Sequence, residues 1–230
     1  MIHSQFWRLR DDDSAARLAT WVDDEMDLEH VVCVTDKGHQ RAGKRLTPLS
    51  IELRYGKVND FVWTWYGECL LQDRVVELLK RECFTGFDVK PVSARFKGRS
   101  EQVPTLWEFA VTGWAGLAKP ESGVRRTEYC EKCQHARYSD FENPAFLIDE
   151  TKWDGSDFFM VWPLPGFIFT TDRVAIFLRK HGFTGMKLMR VEELRKPEGV
   201  IDGLTPGRLS YWMPHQRAMK LGTNAGIEEI

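Results

Sequence analysis

Apolar positions along the chain recur with two periods. Gln5 to Arg10 (QFWRLR), His30 to Asp36 (HVVCVTD), Phe61 to Trp65, Leu106 to Trp114 and Phe158 to Trp162 are short runs rich in aromatic and β-branched residues, and each predicts a strand, a buried one in the case of His30 to Asp36. Val75, Leu78 and Leu79, and again Val174, Phe177 and Leu178, are spaced by three and four residues, the stripe a helix buries along one face. Both helices open on a carboxylate, Asp73 or Asp172, where the helix dipole favours it. Both end among cations: Lys80 and Arg81 in one, Arg179, Lys180 and His181 in the other. Gly182 is a natural left-handed cap for the second. Helices are therefore predicted from Asp73 to Glu82 and from Asp172 to His181.

These two helical stretches belong to an internal repeat. Val62 to Val92 aligns without a gap on Val161 to Val191 at an offset of 99, with identities at 11 of 31 positions, including Trp63/Trp162, Gly67/Gly166, Asp73/Asp172, Arg74/Arg173 and the tripeptide Phe84-Thr85-Gly86/Phe183-Thr184-Gly185. Two copies suggest a paired arrangement rather than a solenoid. The expected fold class is α+β, a pseudo-symmetric pair of strand-helix-strand repeats in one globular domain spanning 1–230. Trp63 and Trp162 read as core anchors, and the shared Asp-Arg pairs as helix-start chemistry rather than a recognition dyad.

Outside the repeat, Asp12 to Met26 predicts an amphipathic helix capped near Asp13 or Ser14. Gly38 to Arg45 (GHQRAGKR) predicts a solvated basic loop, and the tail from Arg195 to Ile230 an ordered wrap over the body.

Composition narrows the class of function. With 32 Lys plus Arg against 34 Asp plus Glu, a net charge of −2 leaves no general attraction for nucleic acid, which is not expected as a partner. The stretch Phe158 to Phe169 is too short for a bilayer and carries Pro163, Pro165 and Gly166, so no membrane association is expected. The first residues are charged where an export signal is apolar, and five cysteines is an odd number, so a cytoplasmic location with reduced thiols is expected.

Candidate chemistry centres on Cys130-Glu131-Lys132-Cys133. Two thiolates separated by two residues can aim both sulfurs at one zinc ion, which here would be structural. Cys33, His30, His39 and His135 are the candidates to complete a tetrahedron, none at a diagnostic spacing, so the single CxxC by itself favours two ordinary reduced cysteines flanking a turn, with structural zinc as the other reading. A thioredoxin-like redox pair would need the CxxC at a helix start, and these surroundings do not read that way. Asp154 and Asp157 fit a tight turn better than a metal or acid-base site, and Glu121 and Ser122 are weaker invitations to the same chemistry. Hydrolase, zinc-protease, P-loop and dinucleotide fingerprints do not occur, so no catalytic residue and no enzyme activity is expected. Scattered carboxylates forming an enzyme site, or a zinc knuckle using the basic clusters 125–132 and 54–57 on nucleic acid, are the alternative functions.

From Tyr129-Cys130-Glu131-Lys132-Cys133 through the aromatic-rich strand Phe158 to Trp162 and the following helix to Leu194, the chain resembles the double-CxxCG motif proteins, a bacterial group that includes immunity proteins against contact-delivered toxins. It departs from the motif in two ways: Gln134 stands at the glycine position, and the second CxxCG is missing, with Cys33 in the earlier half where another ligand could lie. The resemblance implies a cytoplasmic protein that binds and blocks a cognate toxin domain encoded by a neighbouring gene. Among 28 aromatic residues (nine Trp, 14 Phe, five Tyr), Trp114, Trp153 and Trp212 lie outside the repeat in segments with Gly or Pro and are the candidate partner-binding residues.

Overall fold

The computed structural model describes residues 5–14, 18–54, 56–195, 204–225 and 227. The chain opens with β1 (Phe6–Arg10), β2 (Thr20–Trp21), β3 (Leu28–Val32), β4 (Gln40–Arg45) and β5 (Leu49–Leu53). It continues through β6 (Phe61–Trp63), β7 (Cys69–Gln72), α1 (Asp73–Arg81), β8 (Phe87–Phe96), β9 (Leu106–Val111) and β10 (Gly113–Leu117). After β11 (Arg126–Tyr129) and β12 (Ala136–Tyr138) come β13 (Phe158–Trp162), β14 (Ile168–Thr171), α2 (Asp172–His181) and β15 (Lys187–Arg190). Two helices, α3 (Leu209–Trp212) and α4 (His215–Ala225), follow.

The architecture is mixed α+β with several sheets. One sheet has the order β2-β5-β8-β9-β7-β6 and the other β10-β13-β14-β1-β15, and two separate hairpins are formed by β3-β4 and β11-β12. Within the large sheets, the runs β6-β7-β9-β8 and β13-β14-β1-β15 follow one plan: an antiparallel hairpin, a strand from elsewhere in the chain, then the strand that leaves the helix. The inserted strands even carry matching tryptophans. Trp107 of β9 donates its indole N–H to Asp73, and Trp7 of β1 donates to Asp172 at 3.0 Å. The carboxylates that open the two helices thus hold the neighbouring strands as well as facing the helix dipole.

The two segments also brace one another. Asp60, just before β6, accepts from the Thr184 N–H at 2.9 Å and its hydroxyl at 3.0 Å, while Asp157, just before β13, accepts from the Thr85 N–H at 3.0 Å and its hydroxyl at 3.1 Å. Backbone bonds run alongside: Phe61 N–H to Thr184 carbonyl and Phe158 N–H to Thr85 carbonyl, both 3.0 Å. Such close approach requires glycine. A Cβ on Gly86 would sit 1.9 Å from the Phe158 carbonyl oxygen, and one on Gly185 would sit 2.1 Å from that of Phe61, and both glycines have positive φ. Arg74 and Arg173 complete the pattern by reaching back to Asp60 and Asp157. Between the sheets lies a core that includes Phe61, Trp63, Leu71, Val75, Leu79, Phe158, Trp162, Val174 and Leu178, the predicted anchors and helical stripes among them.

Four expectations are corrected. No α-helix covers the described part of Asp12 to Met26: Ala19 donates to the Trp63 carbonyl and accepts from Trp65, Thr20 and Trp21 pair with β5, and only a 3-10 turn follows at Asp23–Glu25. Tertiary strand pairing overrides local helical periodicity there. Within Gly38 to Arg45, the expected loop is mostly strand β4, paired with β3, and Arg45 at its end is buried against Glu108. The strand expected over His30 to Asp36 is β3, which is largely exposed rather than buried, with Val34 beyond it at 90% exposure. Lastly, the strand expected from Leu106 to Trp114 is divided at Thr112, so β9 serves one large sheet and β10 the other. In the tail, the wrap expected from Arg195 is represented by α3 and α4, and its portion at 196–203 lies outside the described residues.

Candidate metal centre

The two small hairpins present their tips to each other. Cys33 directly follows β3 and His39 directly precedes β4, and the tip closes through Cys33 N–H to the His39 carbonyl at 3.1 Å. Inside it, Gly38 N–H donates to the Asp36 carboxylate at 2.8 Å and His39 N–H to the Asp36 carbonyl at 3.0 Å, a turn that folds the imidazole back beside the thiol. The second hairpin repeats this closure: Cys130 N–H donates to the His135 carbonyl at 2.9 Å and Gln134 N–H to the Cys130 carbonyl at 2.7 Å. Gln134 has φ 58°, the left-handed conformation in which a glycine is usual.

Cys33, His39, Cys130 and Cys133 offer one ligand atom each, all within 4.8 Å of one another. Cys33 Sγ lies 3.8 Å from Cys130 Sγ, and Cys133 Sγ lies 4.0 Å from His39 Nδ1. Tetrahedral zinc with bonds of about 2.3 Å to sulfur would separate two thiolates by about 3.8 Å, so this set is close enough to hold a metal, and its soft sulfur donors suit zinc. The environment favours thiolate at two of the three cysteines. A hydrogen bond with the Thr35 hydroxyl (Sγ to Oγ1, 3.2 Å), then the Thr35 backbone N–H, draw the Cys33 thiol down to about 6. Backbone N–H groups of Cys133 and Lys132, followed by His39, draw Cys130 down. Cys133 is pushed up by burial.

Of the six residues named from the sequence for metal, four converge. His30 lies on exposed β3 in register with Ala42, away from the tip, and His135 stands behind the cluster with its ring stacked on that of His39, centroids 4.5 Å apart. The Arg41 guanidinium donates to the Cys133 carbonyl and so links the two hairpins beside the cluster. The spacing Cys33-x5-His39 matches no common zinc knuckle, and its only sequence signal is the turn chemistry of Asp36-Lys37-Gly38 between the two ligands.

The remaining candidates fall elsewhere. Asp154 accepts from the Trp114 and Ser156 N–H groups at 3.1 Å and from Arg217 at 2.9 Å, and Asp157 braces Thr85, so both act in turns and packing. Ser122 is buried, with its hydroxyl on the Lys119 carbonyl. Trp114 is buried in the core. Trp153 is half-buried with its indole on the Ser156 carbonyl, and Trp212 is half-buried against the Pro206 carbonyl. Trp65 and Tyr66, which the sequence placed inside the repeat, are 58% and 59% exposed.

No protein-family model matches the chain, and comparison with the curated proteins returns no match. None of the helices is long and apolar enough to cross a membrane, among the described residues.

Proposed function

We propose that this chain is an immunity protein, acting in the cytoplasm, that neutralises a cognate bacterial toxin by binding it, with one structural zinc ion pinning its two hairpins together. The observation that carries the reading is the four-residue cluster. It joins a CxxC to a second metal half-site nearly a hundred residues away, the arrangement expected of the double-CxxCG proteins with Cys33 and His39 in place of the missing motif and a left-handed Gln134 in place of the glycine. Four protein donors fill a tetrahedral zinc shell and leave no position for substrate, which favours a structural ion over a catalytic one. We further infer that Val62–Val92 and Val161–Val191 are copies of one unit facing each other across a pseudo-two-fold axis. The reciprocal Asp60/Thr184 and Asp157/Thr85 braces support that reading.

Two measurements test it. Purified protein should carry about one zinc per chain, released by a mercurial, and Cys33→Ser and His39→Asn should lower the metal content as much as Cys133→Ser, because site assembly and folding are coupled. Zinc retained in Cys33→Ser would remove Cys33 from the ligand set. Co-expression with the secreted polypeptide's C-terminal domain encoded beside this gene should restore growth and yield a stable complex. Growth restored without a complex would replace occlusion by another mode of protection, and failure to restore growth would refute the immunity reading.

A further inference from the structure

The turn from β6 to β7 presents the two most exposed aromatic rings in the described chain. Gly67 N–H closes it on the Thr64 carbonyl at 3.2 Å, and the Thr64 hydroxyl accepts from the Tyr66 N–H at 3.2 Å, so Trp65 and Tyr66 stand on a short, hydrogen-bonded support. Tyr66 leans on Trp21, ring centroids 3.8 Å apart. A recess lies on either side. One, of about 280 Å³, is lined by Trp21, Tyr66, Arg41, Tyr211 and Trp212. The other, of about 210 Å³, lies between Trp65, Trp63, Thr64, Arg8 and Arg10.

Charge distinguishes the second recess. Arg10 is occupied by Asp11 at 3.6 Å and by Asp13. Arg8 makes no ion pair among the described residues: its guanidinium lies 3.3 Å above the Phe167 ring, and its buried Nε has no hydrogen-bond partner. Burial, and then the repulsion of Arg10, lower its pKa to about 10 against a smaller opposing pull from Asp11. Asp11 also lines this recess, but it lies against Arg10, which leaves the Arg8 guanidinium on apolar surface with no ion pair of its own. Such a cation is the complement of a carboxylate brought in by something else, and bidentate pairing is what a guanidinium offers it. Rigid exposed aromatic rings beside such a pocket are the usual anchors of protein interfaces.

Resting on the binding role proposed above, we propose that the Trp65-Tyr66 turn is the docking surface for the protein partner, which presents an acidic side chain flanked by apolar ones: the carboxylate seats on Arg8 and the apolar groups pack on Trp65 and Tyr66. This moves the anchor away from Trp114, Trp153 and Trp212, which are already engaged within the fold.

The full chain labelled with 5-fluorotryptophan gives one fluorine resonance per tryptophan, with that of Trp65 identified by Trp65→Phe. Titration with acetyl-Phe-Glu-Phe-amide should shift the Trp65 resonance, and acetyl-Phe-Gln-Phe-amide should bind at least tenfold more weakly. R8Q should abolish the preference for the acidic peptide, and R8K, which keeps the charge but loses the guanidinium fork, should retain only part of it, while the other tryptophan resonances report that each variant is folded. Equal response to both peptides, or shifts confined to other tryptophans, would overturn the proposal. Co-expression with the adjacent toxin domain separates the two levels of inference. Protection by the parent chain that survives Trp65→Ala with R8Q refutes this surface and leaves the immunity reading standing. Acidic-peptide binding at Trp65 without any protection upholds the surface and refutes immunity.

Discussion

Thr64-Trp65-Tyr66-Gly67 and Pro163-Leu164-Pro165-Gly166 occupy aligned positions in the two repeated segments, each joining the strands of a hairpin that leads into a helix. They face opposite media. In the first, two aromatic rings stand in solvent, while in the second Leu164 is 3% exposed and packs in a cluster with Phe159, Val161 and Phe169. Where the segments touch each other, by contrast, they agree residue for residue: Gly86 with Gly185, Thr85 with Thr184, Asp60 with Asp157. The difference shows which positions the mutual contact constrains and which it leaves free to diverge, and the free ones are the places to look for a partner.

The largest expected effect lies in the shared contact. Gly86→Ala and Gly185→Ala would each press a methyl group into a backbone carbonyl oxygen and impose an L side chain on positive φ, so each should cost at least about 3 kcal/mol in urea denaturation. Similar losses would sharpen the equivalence of the two segments. A loss under about 1 kcal/mol in only one of them would break it.

Next come the carboxylates. Asp60→Asn and Asp157→Asn should each cost about 2 to 4 kcal/mol, because each leaves buried donors on the opposite segment poorly matched. Arg74 and Arg173 are more than half exposed, so their loss to Gln should cost under about 1 kcal/mol. Asp60 also predicts a pH dependence. Burial alone would raise its carboxyl, but the Thr184 N–H, Arg74 and the Thr184 hydroxyl outweigh that and hold it below the usual carboxylate range. A depressed folded-state value means that the stabilisation is complete above the unfolded value of about 3.9 and is lost as pH falls through the folded one. The urea midpoint of the parent should therefore fall below pH 4 more steeply than that of Asp60→Asn. Parallel curves would assign the acid loss to other groups.

The brace was half visible in the sequence. Asp-Phe precedes a Val-Trp pair in both segments, but two additional residues in Asp157 to Trp162 place the second aspartate at an offset of 97 instead of 99, and an ungapped alignment starting at Val62 passes over it. Helices α1 and α2 were legible because stripe, opening carboxylate and closing cations all agree. Residues 18–26 were not, because their partners, Trp63, Thr64 and β5, are distant in sequence. β4 reads as a loop because a half-exposed strand of a two-stranded hairpin carries few apolar residues, and the burial of Arg45 depends on Glu108, 63 residues away. At the metal centre, Cys130 and Cys133 announce themselves by spacing, whereas Cys33 and His39 become a pair only once β3 and β4 are known to form a hairpin.

The smallest effect belongs to the exposed tip, and it makes the comparison sharpest. Leu164→Ala removes buried methyl groups and opens a cavity, at a cost of about 3 kcal/mol. Trp65→Ala removes a far larger side chain from a position already more than half in water, where little apolar area is recovered on unfolding, and should change stability by under about 0.5 kcal/mol. Urea midpoints of the two variants measured side by side give the contrast directly. Equal losses would mean that Trp65 packs within the folded chain as Leu164 does, leaving no ring to spare for a partner. A Trp65→Ala chain as stable as its parent would instead mean that folding does not account for a tryptophan at this tip, the condition that the proposed docking surface requires.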